Sequence, residues 1–243
     1  MTNIEILQAL STIVYKIDEE DEDEDAFQLT LLPPATETEL QQLADHFPKG
    51  QLPAELEDLL RFSKGWKDPY EELVHLNGFG EFGYEALMPL AINLQNDGLG
   101  NCWLLEVKPD GSLGKVFFAC HDPAVLVITA NSLNEYLQQQ LLHFQNPDKH
   151  PIGVDHPSTG TVYLSAPNMS DMAVFKASNP SLTEWLLPFT EEEHVVADLR
   201  QATAGDGFYW GKCQVLETRK HPTVYVWILQ KKKKGWLARL FGK

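Results

Sequence analysis

Three glycines are the first residues whose spacing could do chemistry. Gly78, Gly80 and Gly83 spell GxGxxG, and Asp97 lies near the spacing of a ribose-binding acid. Dinucleotide binding needs a strand before such glycines and a helix directly after them, so that the helix N-terminus meets the pyrophosphate. Pro89 follows closely and leaves no room for that helix. We therefore interpret the segment as a glycine-rich loop and predict no cofactor.

Catalytic and metal-binding patterns are equally weak. Cys120 and His121 are neighbours, but adjacent residues of a strand point to opposite faces and cannot easily share a proton. His150, Asp155 and His156 form a loose cluster that could bind a metal ion, the alternative being solvent-facing histidines in a proline-rich loop. Since Walker, GxSxG and HExxH motifs are missing as well, we predict no catalytic residues, no metal site and no enzyme.

The three cysteines, Cys102, Cys120 and Cys213, have irregular spacing and no CxxC pair. An odd, small number of this kind is neither a disulfide framework nor a zinc site. We predict that all three are small buried side chains.

Composition restricts the class of partner. The chain has 243 residues, of which 43% are apolar, and this is enough for a sizeable core. Its formal net charge of −16 repels phosphate backbones and suits a basic protein partner. We therefore predict no direct binding to nucleic acid. Because no apolar run approaches the roughly 18 residues of a membrane span and the N-terminus lacks a basic start, we expect a cytoplasmic protein.

The first half of the chain begins with helical patterns. Apolar spacing predicts a helix over residues 3–16. Thr36 and Glu39 form a capping box that opens a second helix. A third helix is predicted to start at Pro53, because proline is favoured at a first helical position, and to stop at Gly65.

From there the apolar period becomes that of strands. Residues 102–107, 115–119 and 125–129 are predicted strands, and Ser132 with Glu135 forms the capping box of a further helix. Helices followed by several short strands and another helix indicate an α+β fold.

A second set of elements follows a linker over residues 145–158, which is rich in proline, glycine, aspartate and histidine. Residues 161–165 and 172–176 are predicted to form paired strands, and residues 208–216 and 223–230 a hairpin. This set indicates a smaller C-terminal α+β unit.

Two charged segments flank these regions. Residues 18–25 are eight consecutive acidic side chains, which suit a solvated linker or a docking site for a basic partner. Residues 231–243 start with four lysines. The tail's apolar side chains could share one helical face, so that it could touch an anionic membrane surface or dock on the protein itself; they are Trp236, Leu237, Leu240 and Phe241.

Three segments in the correct order resemble the SUKH superfamily. Residues 52–65 begin with Leu-Pro and continue as an amphipathic helix, and residues 96–107 carry the D-x-x-G-N entry into a central strand. Residues 114–137 look like the family's strand, His-Asp turn, strand and final helix. The superfamily includes fungal cell-wall-assembly regulators and many bacterial immunity proteins, and the likeness covers about residues 36–144.

The resemblance implies an α+β fold with helices packed on one twisted, mostly antiparallel sheet. Residues 1–30 would form an N-terminal helix and acidic linker, residues 31–146 the SUKH-like domain, residues 147–230 a C-terminal α+β extension, and residues 231–243 the basic amphipathic tail. The positions that match family motifs are expected to be structural; they are Leu52, Pro53, Gly65, Asp97, Gly100, Asn101, Trp103, His121 and Asp122.

The resemblance also implies protein binding without catalysis. The main hypothesis is an immunity-type protein that neutralises a basic bacterial toxin, such as a nuclease. The alternative is a regulatory scaffold of envelope assembly or secretion. Because recognition commonly lies in loops on a rigid scaffold, the partner surface is predicted in the loop 66–84, with Trp66, Asp68, Tyr70, Glu71, Phe79, Phe82 and Tyr84.

Overall fold

A computed structural model describes residues 1–15, 26–67, 72–78 and 83–232. Seven α-helices occur in this part of the chain: α1 (Asn3–Leu10), α2 (Glu37–Ala44), α3 (Ala54–Phe62), α4 (Leu133–Gln145), α5 (Pro157–Ser165), α6 (Met172–Ser178) and α7 (Thr183–Leu186). The acidic run 18–25 and tail residues 233–243 lie outside the described residues.

The strands of the same ranges are short, and most lie in the second half of the chain. They are β1 (Val14–Tyr15), β2 (Phe27–Gln28), β3 (Thr30–Leu31), β4 (Gly65–Lys67), β5 (Glu72–His75), β6 (Ala91–Asn96), β7 (Cys102–Val107), β8 (Leu113–His121), β9 (Ala124–Ala130), β10 (Met169–Asp171), β11 (His194–Asp198), β12 (Gly207–Tyr209), β13 (Cys213–Lys220) and β14 (Val226–Lys231).

The central sheet has the order β12-β9-β8-β7-β6, and every neighbouring pair is antiparallel. Side chains of a strand alternate between two faces. On the inner face they share one core with the N-terminal helices, and this core includes Leu7, Leu56, Trp103, Phe118 and Leu137. The predicted capping box of Thr36 and Glu39 is present at α2. Ser132 caps α4 through its side chain, whereas Glu135 accepts from the Asn131 backbone N–H and so does not complete a capping box.

The outer face of the central sheet is also buried. A second antiparallel sheet, with the order β10-β11-β14-β13, packs against it. Leu104 and Phe117 of the central sheet share a core with Trp227 and Leu229 of the second sheet. The Trp227 indole donates a hydrogen bond to the Leu87 carbonyl at 2.7 Å. All six residues of β7 are therefore buried.

Helices α6 and α7 cover the remaining face of the second sheet. Met172, Phe175 and Leu186 pack there against Val196 and Ile228. The layers are thus helices, sheet, sheet and helices. The predicted α+β class is confirmed, and all strands of the second sheet come from the C-terminal part of the chain.

Several local predictions are corrected. Helix α1 ends at Leu10, and Val14 already lies in β1. Residues 161–165 and 172–176 are helical, in α5 and α6, and do not form paired strands. Pro157 occupies the first turn of α5, where its missing N–H has no cost. The segment after Pro157 therefore forms a helix, although it contains β-branched residues, which favour strands.

Gly65 has a different role from the predicted helix stop. Helix α3 ends at a Ser63 cap, and Pro53 is its N-cap rather than its first helical residue. Gly65 lies in β4 with φ of 139°, and a Cβ atom there would lie 1.8 Å from the Val74 carbonyl oxygen. The position therefore needs glycine for close approach of two backbones.

The predicted C-terminal hairpin is present in part. β13 pairs with β14, whereas β12 leaves this sheet and pairs with β9 at the edge of the central sheet. Residues 147–230 therefore share a core with the SUKH-like region. The domain boundaries given above stay a prediction.

Candidate functional site

The predicted partner loop is only partly described. Trp66 is 0% exposed in β4 and belongs to the inner core, and Tyr84 is 6% exposed. The Tyr84 hydroxyl donates to the Gly100 carbonyl at 2.8 Å, and burial raises the pKa of Tyr84. The expectation that these two side chains face a partner is wrong, because both fill internal space. The other five positions lie outside the described residues; they are Asp68, Tyr70, Glu71, Phe79 and Phe82.

Asp97 organises the D-x-x-G-N turn. Its Oδ1 accepts hydrogen bonds from the backbone N–H of Leu99 at 2.9 Å and of Asn101 at 3.0 Å, and its Oδ2 accepts from the Asn101 amide. Burial raises the pKa of Asp97, but these hydrogen bonds outweigh burial, so that the pKa lies below its usual value. This geometry is what a turn-forming aspartate needs.

Asn101 connects this turn to the end of β8. It is 4% exposed, and its Oδ1 lies 3.2 Å from the His121 backbone nitrogen and 3.1 Å from His121 Nδ1. The peptide between Asp122 and Pro123 is cis. Hydrogen bonds thus connect the family-motif residues Asp97, Asn101 and His121 at one end of the central sheet, and Asp122 follows directly in the chain.

The remaining family positions lie apart from this turn. Leu52 packs against the inner core, and Pro53 occupies the N-cap position of α3 without a capping side-chain hydrogen bond. Trp103 is 4% exposed, and its ring centroid lies 4.7 Å from that of Phe118. Gly100 has φ of 92°, in the region that favours glycine.

The residues considered for catalysis are separated. Cys120 is buried in the inner core, whereas His121 is exposed, as the alternation of a strand requires. All three cysteines lie among the described residues, where they are buried and form no disulfide. Burial raises the pKa of each thiol, that of Cys102 to about 11, so that thiolates, the reactive form, are disfavoured at neutral pH.

The structure does not support dinucleotide binding at the glycine-rich loop or metal binding by His150, Asp155 and His156. Residues 83–96 form turns and β6, without the helix that a phosphate-binding loop needs. Within the described ranges, no group of three or more His, Cys, Asp or Glu side chains is arranged to hold a metal ion. No helix there has the length and hydropathy of a membrane span.

Exposed acidic side chains lie on the outward faces of α2 and α3. Arg61 bonds to Glu37 and Glu57. Glu55 and Asp58, which are both exposed, are three residues apart and therefore lie on one helical face. Neither forms an ion pair with another described residue. Their negative charge is thus open to solvent.

One buried ion pair was not foreseen. Glu106 of β7 and Lys220 of β13 are 2.7 Å apart, with side chains that are 6% and 8% exposed. In the sequence, the position of Glu106 inside the apolar run of β7 is the feature that could have indicated a buried charge. Its partner could not be identified from the sequence, because 114 positions separate them.

A comparison with protein-family models matches residues 34–139 to the SMI1 / KNR4 family (SUKH-1). No curated protein and no solved structure matches the chain. The matched segment includes α2, α3, the D-x-x-G-N turn, β6 to β9 and the first half of α4. This match confirms the likeness that the motifs indicated, and the matched residues 34–139 are called the SUKH-1 segment below.

Proposed function

We propose that this chain is a non-catalytic protein-binding protein of the immunity type, which binds and neutralises a basic toxin. The SUKH family includes toxin-immunity proteins and cell-wall regulators. Of these two roles, immunity fits better with the charge of the chain.

The observation that carries this proposal is the excess negative charge. The net charge is −16, and carboxylates such as Glu55, Asp58 and those of 191–193 are exposed. Opposite charge accelerates encounter with a basic protein and orients it. A toxin that cuts nucleic acid needs a basic surface to grip phosphates, and an acidic protein can occlude that surface.

The test is a pull-down of the intact protein from its native lysate at low and at moderate salt, with bound proteins identified by mass spectrometry. We expect one basic partner, encoded beside this protein, whose binding weakens with salt. The purified partner's toxic activity is then measured with and without this protein. A partner that stays fully active in the complex contradicts immunity.

Charge-reversal variants locate the contact. Glu55→Lys with Asp58→Lys changes the open carboxylates of α3 without touching a described ion pair. Glu184→Lys with Glu192→Lys, at two exposed positions away from α3, changes the net charge by the same amount and is the matched control. We expect the α3 variant to slow association at least several-fold at low salt. Equal effects of both changes would place the interface elsewhere.

A regulatory scaffold at the envelope is the second candidate, and the basic tail 231–243 is the observation in its favour. Its lysines and apolar side chains suit an anionic membrane surface. Co-sedimentation with anionic liposomes, with and without residues 231–243, tests this role. Tail-dependent sedimentation favours the scaffold, and its absence together with a tight toxin complex favours immunity.

A further inference from the structure

A cavity of about 420 Å³ lies where the SUKH-1 segment meets the C-terminal extension. Its lining includes Trp103, Phe118 and Val127 from the central sheet, together with Ile152 and Gly153 from the loop before α5. The volume falls in the range of pockets that hold small organic molecules, about 300–1,000 Å³. This loop lies beyond residue 139, where the family match ends, so the cavity depends on the extension.

One buried polar group on the cavity wall lacks a partner. Gln140 of α4 is 1% exposed, and its Oε1 has no hydrogen-bond partner among the described residues. The neighbouring polar groups are satisfied: Gln139 donates to the Thr129 carbonyl at 2.8 Å, and the Tyr136 hydroxyl donates to Gln95 at 3.1 Å. A buried acceptor without a partner is costly, and a donor on a bound molecule would remove that cost.

The floor of the cavity is aromatic. The rings of Trp103 and Phe118 are tilted by 44° to each other. Gly153 lies so close to this floor that a Cβ atom would come within 3.0 Å of the Trp103 ring. A flat, mainly apolar body matches such a surface, because aromatic faces pack well with other rings.

Two further side chains that line the cavity are Lys149, which is positively charged, and His156, which is a hydrogen-bond donor. Lys149 lines the cavity and forms no ion pair with a described residue, and Asp148 and Asp155 are not among the lining residues. His156 Nδ1 accepts from the Ser158 backbone N–H at 3.1 Å, which leaves the proton of the neutral ring on Nε2. Burial lowers the pKa of His156, which favours this neutral form.

We propose that this cavity binds a small, planar aromatic or heteroaromatic molecule that carries an N–H or O–H donor and one anionic group. The ring system lies against Trp103 and Phe118, the donor bonds to Gln140 Oε1, and the anion lies near Lys149. This binding site is independent of the proposed toxin partner.

The test uses the full chain and the fluorescent probe anilinonaphthalene sulfonate, which combines aromatic rings, an N–H and an anion. We expect saturable binding to the folded protein. Lys149→Gln should weaken binding several-fold at low salt and reduce its salt dependence. Lys212→Gln, at an exposed lysine of another surface, is the control and should bind as the wild type does.

Displacement of the fluorescent probe by two competing ligands then tests the role of the Gln140 side-chain amide. Indole acetate has a ring N–H, and naphthalene acetate has none. The wild type should prefer indole acetate by between about twofold and tenfold, as expected for one neutral hydrogen bond, and Gln140→Met should abolish this preference. Met has a similar length and no strong hydrogen-bonding group, so we expect this variant to melt no earlier than the wild type.

The proposal is overturned if the probe fails to bind the folded wild type. It is also overturned if Lys149→Gln and Lys212→Gln behave alike, or if the preference for indole acetate is absent or persists in Gln140→Met. Should Gln140→Met fail to fold, the comparison of the two lysine variants still decides, because both lysines are exposed.

Discussion

Glu106 of the central sheet and Lys220 of the second sheet form a buried ion pair across the interface between the two sheets. The Tyr225 hydroxyl donates to the second oxygen of the same carboxylate at 2.8 Å. Gly114 leaves the space for that carboxylate, since a Cβ atom there would lie 2.1 Å from Glu106 Oε2. The SUKH-1 segment and the extension are thus joined by charge as well as by apolar packing.

Loss of one member of this pair should destabilise the protein strongly. Lys220→Met leaves the Glu106 carboxylate buried without its cation, and we expect a loss of about 3 kcal/mol in the free energy of unfolding. Glu106→Gln combined with Lys220→Met should restore most of it, because no buried charge remains and Tyr225 keeps an acceptor. Urea unfolding of the two single variants and the double variant measures the coupling. Additive losses would contradict a direct interaction.

Gly65 should tolerate no side chain. In Gly65→Ala the new methyl group would collide with the backbone of Val74, and we expect a loss of about 3 kcal/mol or more. Gly50→Ala is the matched control, since Gly50 also has positive φ but open space around it, and should cost about 1 kcal/mol. Thermal unfolding compares the two variants. Equal effects would mean that conformation alone, and not close approach, selects glycine at position 65.

Asp97 should make stability depend on pH in the acid range. Its pKa is lowered in the folded state, so its stabilising contribution is complete above the unfolded pKa of about 3.9 and is lost as the pH falls through the lower folded-state pKa. Asp97→Ala should therefore cost about 2 kcal/mol at neutral pH and progressively less below about pH 4. Denaturant unfolding at several pH values checks this. The control is Asp58→Ala, at an exposed site. Its effect on the free energy of unfolding should not depend on pH in this way.

The local signals of the sequence predicted much of the inner half. The capping-box patterns at Thr36 and Ser132 depend on residues three positions apart, and both helices formed where these patterns indicated. Strands β7, β8 and β9 were also foreseen from their apolar runs. Residues 161–165 were mistaken for a strand because β-branched residues were given more weight than Pro157, which starts the helix.

Other features, in the inner half as well as the outer half, depend on contacts that are distant in sequence. Trp66 was expected at the surface because it follows a helix in a loop-like segment, yet β4 carries it into the core. The nearly continuous apolar run of β7 indicates a sheet that is covered on both faces. The run does not, however, identify the elements that cover the outer face. Gln140 shows the same limit, since a glutamine on a helix gives no sign in the sequence that its amide is buried and unpaired.

A chain cut after residue 146 should fail to fold as a compact monomer. The cut removes Phe208, Trp227 and Leu229, which cover Leu104 and Phe117 on the outer face of the central sheet. Such a large exposed apolar face favours association. We expect the fragment to elute as aggregates in size-exclusion chromatography and to lose cooperative thermal unfolding. A chain that lacks only residues 233–243 keeps all of these contacts and serves as the control. A soluble, cooperatively unfolding fragment 1–146 would instead show that the SUKH-1 segment is an independent domain and that the extension is an addition to a stable scaffold.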